Sequence, residues 1–209
     1  MRRAMPNGPA WALVPVKRLE EAKSRLSPEL SAPERHRLQR QMLRRVVSVL
    51  RAVPELAGVA VISADPQVER LVAGLGAHPI AETGPRGLNP ALGEGAARLE
   101  AMGAELIAVI PADLPELQAE DVGKALEAAR ESGAMQVVPD MARTGTNGLF
   151  FFAVRPPCFR FGPDSFRRHL SQEGARALSL ASLARDIDRP ADLAALGEPE
   201  FKLEEETSG

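Results

Sequence analysis

"AELIAVIPADLP", residues 104–115, decides the fold. It is an apolar run of strand length with no polar alternation, which predicts a strand over residues 104–113 covered on both faces. Strands of that kind belong to parallel sheets packed between helices. The run stops on a single carboxylate, Asp113, held between Pro111 and Pro115. An aspartate at such a strand end is either a turn residue or a holder of something charged.

Working outward, "WALVPV" (11–16), "GVAVIS" (58–63), "AHPIA" (77–81), "AMQVVPD" (134–140) and "GLFFFAV" (148–154) read as further strands. Helical patterns lie between them. "SAPE" (31–34) fits a capping box with Ser31 as cap and Glu34 three residues on, followed by Leu38, Met42, Val46, Val49, Leu50 and Val53 at helical spacing. Shorter helices are expected from Pro66 to Ala73, over 89–103 through Pro90, over 119–133, and from Ser165 to Gln172. This alternation defines an α/β domain with a mostly parallel sheet flanked by helices. It is expected to span residues 10–196, with residues 1–9 and 197–209 as flexible termini. In such sheets ligands bind beyond the carboxyl ends of the strands. That edge brings together Asp113 and the loop carrying Lys17, Lys23 and Arg25.

The composition narrows the function classes. The 209 residues are 44% hydrophobic and 26% charged, as a single domain with a proper core requires. No apolar run reaches membrane-spanning length, and no apolar stretch follows Arg2 and Arg3, so neither a membrane nor a signal peptide is expected. Cys158 is the single cysteine, which excludes an internal disulfide, points to the cytoplasm, and reads as a half-buried small residue. The net charge of −2 hides an asymmetry: residues 1–53 carry 12 Lys/Arg against 4 Asp/Glu. Arg35, Arg37, Arg40, Arg44 and Arg45 fit a solvated helix face, whereas Lys17, Arg18, Lys23 and Arg25 cluster in a loop. Nucleic acid is not expected as a partner, because aromatics make up 4% of the chain and no stacking platform is visible.

No Walker P-loop, zinc spacing or G-x-S-x-G elbow is present, and "GEGAAR" (93–98) follows no strand and lacks the third glycine of a dinucleotide fingerprint. Four constellations remain. The loop in "VPVKRLEEAKSRLSP" (14–28) offers spaced cations suited to a triphosphate and a leaving pyrophosphate. Asp113 with an aspartate of "RDIDRPADL" (185–193) offers a carboxylate pair for Mg²⁺; Asp186 and Asp188 are both open, and Asp192 reads as a cap. "RTGTNG" (143–148) is a turn whose Thr144, Thr146 and glycines could approach an anion or simply close a hairpin. "FGPDSFRRH" (161–169) starts a helix at Ser165, either for an anion or merely capped by Asp164, with His169 on the same face as a hydrogen-bonding or packing residue.

Taken in order with "GLNPALGEG" (87–95), these stretches cover residues 12–196 and resemble the CofC/FbiD guanylyltransferases of coenzyme F420 biosynthesis. The resemblance implies a Rossmann-like nucleotidyltransferase fold and a homodimer. It implies condensation of GTP with phosphoenolpyruvate, or with 2-phospho-L-lactate or 3-phosphoglycerate, releasing pyrophosphate. By the same resemblance Asp113 and Asp188 are the Mg²⁺ ligands. Lys17, Lys23 and Arg25 hold the triphosphate, Thr144, Thr146, Gly162 and Ser165 hold the acid, and Asn89 contacts the nucleoside. Where sugar-nucleotidyltransferases have a glycine-rich first loop, Val14, Pro15 and Val16 stand here, which leaves phosphate binding to side chains. Two other readings share the pattern: another Mg²⁺-dependent nucleotidyltransferase or a nucleotide-sugar glycosyltransferase, and a non-catalytic nucleotide-binding protein.

Overall fold

A computed structural model describes residues 8–18, 23–188 and 190–195. Of the termini expected to be flexible, residues 1–7 and 197–209 lie outside the described residues. Gly8 and Pro9 are tied down: the Gly8 amide donates to Glu105 Oε2 at 3.0 Å and the Pro9 carbonyl accepts from the Glu105 amide at 2.9 Å.

In chain order the elements are β1 (Ala10–Pro15), α1 (Ala32–Arg51), β2 (Leu56–Ser63), α2 (Pro66–Gly74), β3 (His78–Ala81), α3 (Leu88–Ala101) and β4 (Leu106–Val109). There follow α4 (Ala119–Ser132), β5 (Met135–Pro139), β6 (Thr146–Phe152), α5 (Ser165–Leu170), β7 (Ala175–Ala177) and α6 (Pro190–Ala195). Two 3₁₀ turns, Ser24–Leu26 and Ala181–Leu183, complete the described set. The seven strands form one sheet in the order β3-β2-β1-β4-β6-β5-β7, and every neighbouring pair is parallel except those made by β6.

Strand alternation divides the apolar residues between two cores. Ala12, Val14, Val59, Val61 and Ala108 face the helices α1, α2 and α4. Leu13, Ala60, Ile62, Ile107 and Val109 face α3 and the Phe166 side of α5. Gly95 lets α3 sit close, since a Cβ there would stand 2.9 Å from both Leu13 methyls. The capping box starts α1 as expected, with Glu34 accepting from the Ser31 amide at 2.8 Å. Its arginines are less idle than a solvated face requires: Arg35 donates to the Leu30 carbonyl at 2.7 Å, and Arg45 donates to the Pro115 carbonyl.

Four elements differ from the sequence reading. β4 ends at Val109 rather than 113; the Ile110 amide still donates to Leu13 O at 3.1 Å, but Pro111 has no N–H and the chain turns. β6 begins at Thr146, because the polar Thr146 and Asn147, which read as turn residues, are both buried and hydrogen-bonded. β7 and the Ala181–Leu183 turn went unread: three residues of "ARA" carry no strand pattern. Cys158 is exposed rather than half-buried; the Gln172 side chain holds its backbone on both sides while the thiol points out.

Candidate active site

The strand order reverses between β1 and β4. The connection from β1 leads outward to β2 and β3, and the chain then returns to place β4 on the other side of β1. A crevice opens at that point on the carboxyl edge, where open α/β sheets bind ligands. Because β6 is antiparallel, its first residue lies at the same edge. Val109 pairs with Leu149, so Thr146 falls level with the turn that carries Asp113.

The crevice holds a cavity of about 360 Å³ lined by Lys17, Lys23, Ser24, Arg25, Gln39, Asp113 and Asp188. The Lys23 ammonium donates to Asp113 Oδ2 at 2.6 Å and to the Ile187 carbonyl. Arg25 pairs with Asp188 at the solvent side. Lys23 holds a left-handed backbone conformation, φ 52°, one of three such non-glycine residues among the described residues. The other two, Arg143 and Asp164, flank Thr144 and Ser165. Strain of this kind persists only where the surroundings enforce it.

A small third core fixes these groups. Leu26, Ile187, Leu38 and Met42 pack together, so the cationic turn and the aspartate segment are clamped against the same stretch of α1. The Ile187 amide donates to Asp113 O at 3.1 Å, and Arg185 pairs with Glu116 at 3.0 Å. Asp186 lies between buried groups: Asn147 Nδ2 reaches its Oδ1 at 3.4 Å. Burial first, then the negative charge of Asp113, pushes its carboxyl above the ordinary range. Asp192 acts as a cap, accepting from the Asp188 amide at 3.0 Å.

A second cavity of about 140 Å³ adjoins on the β2 side, lined by Val16, Lys17, Ile62, Glu82, Arg86 and Leu88 among others. Lys17 borders both cavities. Glu82 is half-buried there and is the carboxylate of that lining. The sequence reading missed Glu82 and Arg86. They lie in a polar loop, and only the sheet order brings that loop beside Lys17.

On the β6 side, Thr146 Oγ1 lies 3.0 Å from His169 Nδ1, and both residues are buried. His169 Nε2 accepts from the Arg160 amide at 3.0 Å. Burial, then the charge of Arg160, lowers its pKa to about 4. Ser165 is also buried. Its helix start is not an open anion site, because the Ser165 amide donates to Gly162 O at 3.1 Å and the Phe166 amide to Thr144 O at 3.2 Å. Asp164 caps nothing with its side chain. Gly162 has φ 119°, a value that requires glycine.

Two expected contacts are engaged elsewhere. The Asn89 amide is taken by Phe161, donating to its carbonyl at 3.2 Å and accepting from its N–H at 2.8 Å. Asn89 therefore clamps α3 to the loop before α5. Thr144 is held by Asp140, its amide donating at 2.8 Å and its hydroxyl at 3.2 Å, so it shapes the hairpin. No helix among the described residues is long and apolar enough to cross a membrane.

The fold is one that solved nucleotidyltransferases share. The fold is shared with a protein of Desulfovibrio desulfuricans assigned as a nucleotide-diphospho-sugar transferase (TM-score 0.74, 17% identity, covering 90% of this chain and 85% of that one). It is also shared with the 4-diphosphocytidyl-2C-methyl-D-erythritol synthase of Anaerococcus prevotii (TM-score 0.62, 10% identity, 90% and 94% covered). Within that class the chain belongs to the CofC-like guanylyl transferase family, whose model matches residues 10–196. Among its relatives is the phosphoenolpyruvate guanylyltransferase of Rubrobacter xylanophilus, 42% identical over 194 residues, with 89% of this chain and 92% of the relative covered. The protein of the same name from Rhodococcus opacus is 39% identical over 202 residues, covering 88% and 83%.

Proposed function

We propose that this enzyme is a phosphoenolpyruvate guanylyltransferase. It joins GTP to phosphoenolpyruvate, giving enolpyruvyl-diphospho-5'-guanosine and pyrophosphate. A place in coenzyme F420 biosynthesis, the cytoplasm and a homodimer belong to the same reading; light scattering of the purified chain checks the last. The observation that carries the reaction is the clustering of Lys17, Lys23 and Arg25 with Asp113 and Asp188 around one cavity at the β1–β4 crevice. Phosphoenolpyruvate is preferred to 2-phospho-L-lactate because the curated relatives carry that substrate in their name.

A phosphate oxygen of the acid is already anionic and needs no general base. It attacks the α-phosphorus of GTP; the new P–O bond forms as the bond to the β-phosphate oxygen breaks, and pyrophosphate leaves with the electron pair. The chain's task is to bring two anions together in line and neutralise the charge that moves to the leaving group. Lys17, between the two cavities, suits the phosphates nearest the nucleoside. Lys23 and Arg25 suit the departing pair.

The donor set fits Mg²⁺, which takes hard oxygen ligands from one or two carboxylates and completes its shell with water and substrate phosphates. Asp113 and Asp188 line the same cavity, with neither thiol nor imidazole among the lining residues. These two would hold the ion, and Asp186 adds negative charge beside Asp113. When bound, Mg²⁺ would supply charge neutralisation on the phosphates.

Glu82 supports GTP as the nucleotide. Guanine presents N–H donors on its Watson–Crick edge, and a carboxylate accepts both; adenine presents a ring-nitrogen acceptor there, which a carboxylate repels. Glu82→Gln is expected to raise the KM for GTP about tenfold or more, the loss of a charge-assisted hydrogen bond, while leaving the KM for the acid unchanged. Equal effects on both substrates would remove Glu82 from the base site.

The overall reading is tested by mass spectrometry of products formed from GTP, Mg²⁺ and each candidate acid in turn, with pyrophosphate release measured alongside. Enolpyruvyl-diphospho-guanosine with stoichiometric pyrophosphate is expected. Glycosyl transfer from a nucleotide sugar would release no pyrophosphate, and a binding protein would give GTP affinity without turnover.

A further inference from the structure

We propose that His169 is a positioning residue that fixes the Thr146 hydroxyl as a hydrogen-bond donor toward the acid substrate. The inference rests on the proposed reaction and on Thr146 as a contact to its acid, the role that the family resemblance implies for it.

The proton bookkeeping follows from one backbone group. The Arg160 amide can only donate, and it lies 3.0 Å from His169 Nε2. That nitrogen therefore presents its lone pair, and the single proton of a neutral imidazole sits on Nδ1. Nδ1 is 3.0 Å from Thr146 Oγ1, so the ring donates and the threonine oxygen accepts. The hydroxyl's own hydrogen is thereby directed away from the ring. Carboxylate and phosphate oxygens are acceptors only, so a hydroxyl set to donate is the state they require.

The surroundings hold the ring in this state. His169 is wholly buried, and Arg160 is the charged neighbour acting on it; both disfavour the imidazolium, whose second N–H would face the Arg160 amide donor. The Phe161 ring meets the imidazole edge-on, with centroids 4.7 Å apart and planes at 64°. Phe161 in turn is held at its backbone by the two Asn89 hydrogen bonds. Asn89, Phe161, His169 and Thr146 thus form one chain from the start of α3 to the first residue of β6 at the carboxyl edge of the sheet.

The tautomer is read directly from long-range ¹H–¹⁵N correlation spectra of the full-length protein labelled at histidine. At pH 7 a protonated Nδ1 and a bare Nε2 are expected for His169; a proton on Nε2 would overturn the proposal. Kinetics give the second readout. His169→Leu is expected to raise the KM for phosphoenolpyruvate about tenfold, the size of one hydrogen bond, with little change for GTP. His169→Asn, whose amide N–H can take the place of Nδ1–H, is expected to recover most of that loss. Thr146→Val separates this inference from the reading beneath it. If Thr146→Val leaves the KM for the acid unchanged, Thr146 is not an acid contact. If it raises that KM while a folded His169→Leu does not, His169 has no positioning role. Should His169→Leu fail to fold, the tautomer and the His169→Asn kinetics decide.

Discussion

Asp113 and Asp186 are neighbouring carboxylates in opposite situations. Asp113 has the Lys23 ammonium at 2.6 Å. Asp186 is pressed by burial and by the charge of Asp113, which together raise its pKa. Asp113→Asn keeps the shape of the turn and removes the charge, so turnover is expected to fall about 100-fold or more, as when a group stabilising developing charge is lost. The circular-dichroism spectrum should be unchanged, and wild-type pyrophosphate release at ordinary Mg²⁺ would refute the assignment. For Asp186 the sign of the pH effect is fixed. A raised carboxyl pKa means that the folded state holds the proton more tightly than the unfolded one, so ionisation at neutral pH costs stability. Asp186→Asn should therefore raise the Tm at pH 7. The gain should shrink as pH falls toward the ordinary carboxylate range, and melting curves from pH 7 to pH 4 check this.

At the scale of elements, the site depends on how little apolar surface holds it. The Ser24–Leu26 turn and the 184–188 segment have no ladder of their own; Leu26 and Ile187 anchor them on Leu38 and Met42 of α1. Ile187→Ala is expected to destabilise the fold by about 2–5 kcal/mol, the usual cost of emptying a buried aliphatic site. Activity should fall even at temperatures where the variant stays folded, because the Lys23 and Asp113 contacts both run through the backbone of that residue. Denaturant melts beside turnover at a low temperature separate the two effects. Gly148 serves the same assembly: a Cβ there would lie 2.9 Å from Leu183, so glycine lets the Ala181–Leu183 turn close on β6 and aim the aspartates at the crevice.

For the molecule as a whole, buried His169 links the fold to pH. Its pKa is lowered to about 4 from an ordinary value of 6.5. The unfolded chain takes up a proton that the native state refuses, so His169's contribution to stability is complete above pH 6.5 and lost as pH falls toward 4. The wild type should lose Tm across that window more steeply than His169→Asn, and parallel slopes would show that His169 is not the cause. Asp186 acts with the opposite sign, so the comparison is made between variants rather than from the wild-type curve alone.

Sequence by itself determined the α/β alternation, the buried strand before Asp113, the capping box of α1 and the cationic loop after β1. These are local: they depend on periodicity, caps and turn chemistry that a short window contains. It also placed Asp113 and the Lys17–Arg25 loop on one edge, because parallel strands share a carboxyl end. Only the tertiary structure decided the rest. Thr146 reads as a turn residue until His169, far along the chain, accounts for its burial. Asn89, which the family resemblance gives to the nucleoside, has Phe161 across its amide, a partner no local pattern announces. Asp186 and Asp188 are two residues apart and alike in sequence, yet one faces the charge of Asp113 and the other pairs with Arg25. The physical reason is common to all three. A polar side chain's role is set by the partner it meets and by the water it loses, and both depend on contacts between distant segments that no local pattern encodes.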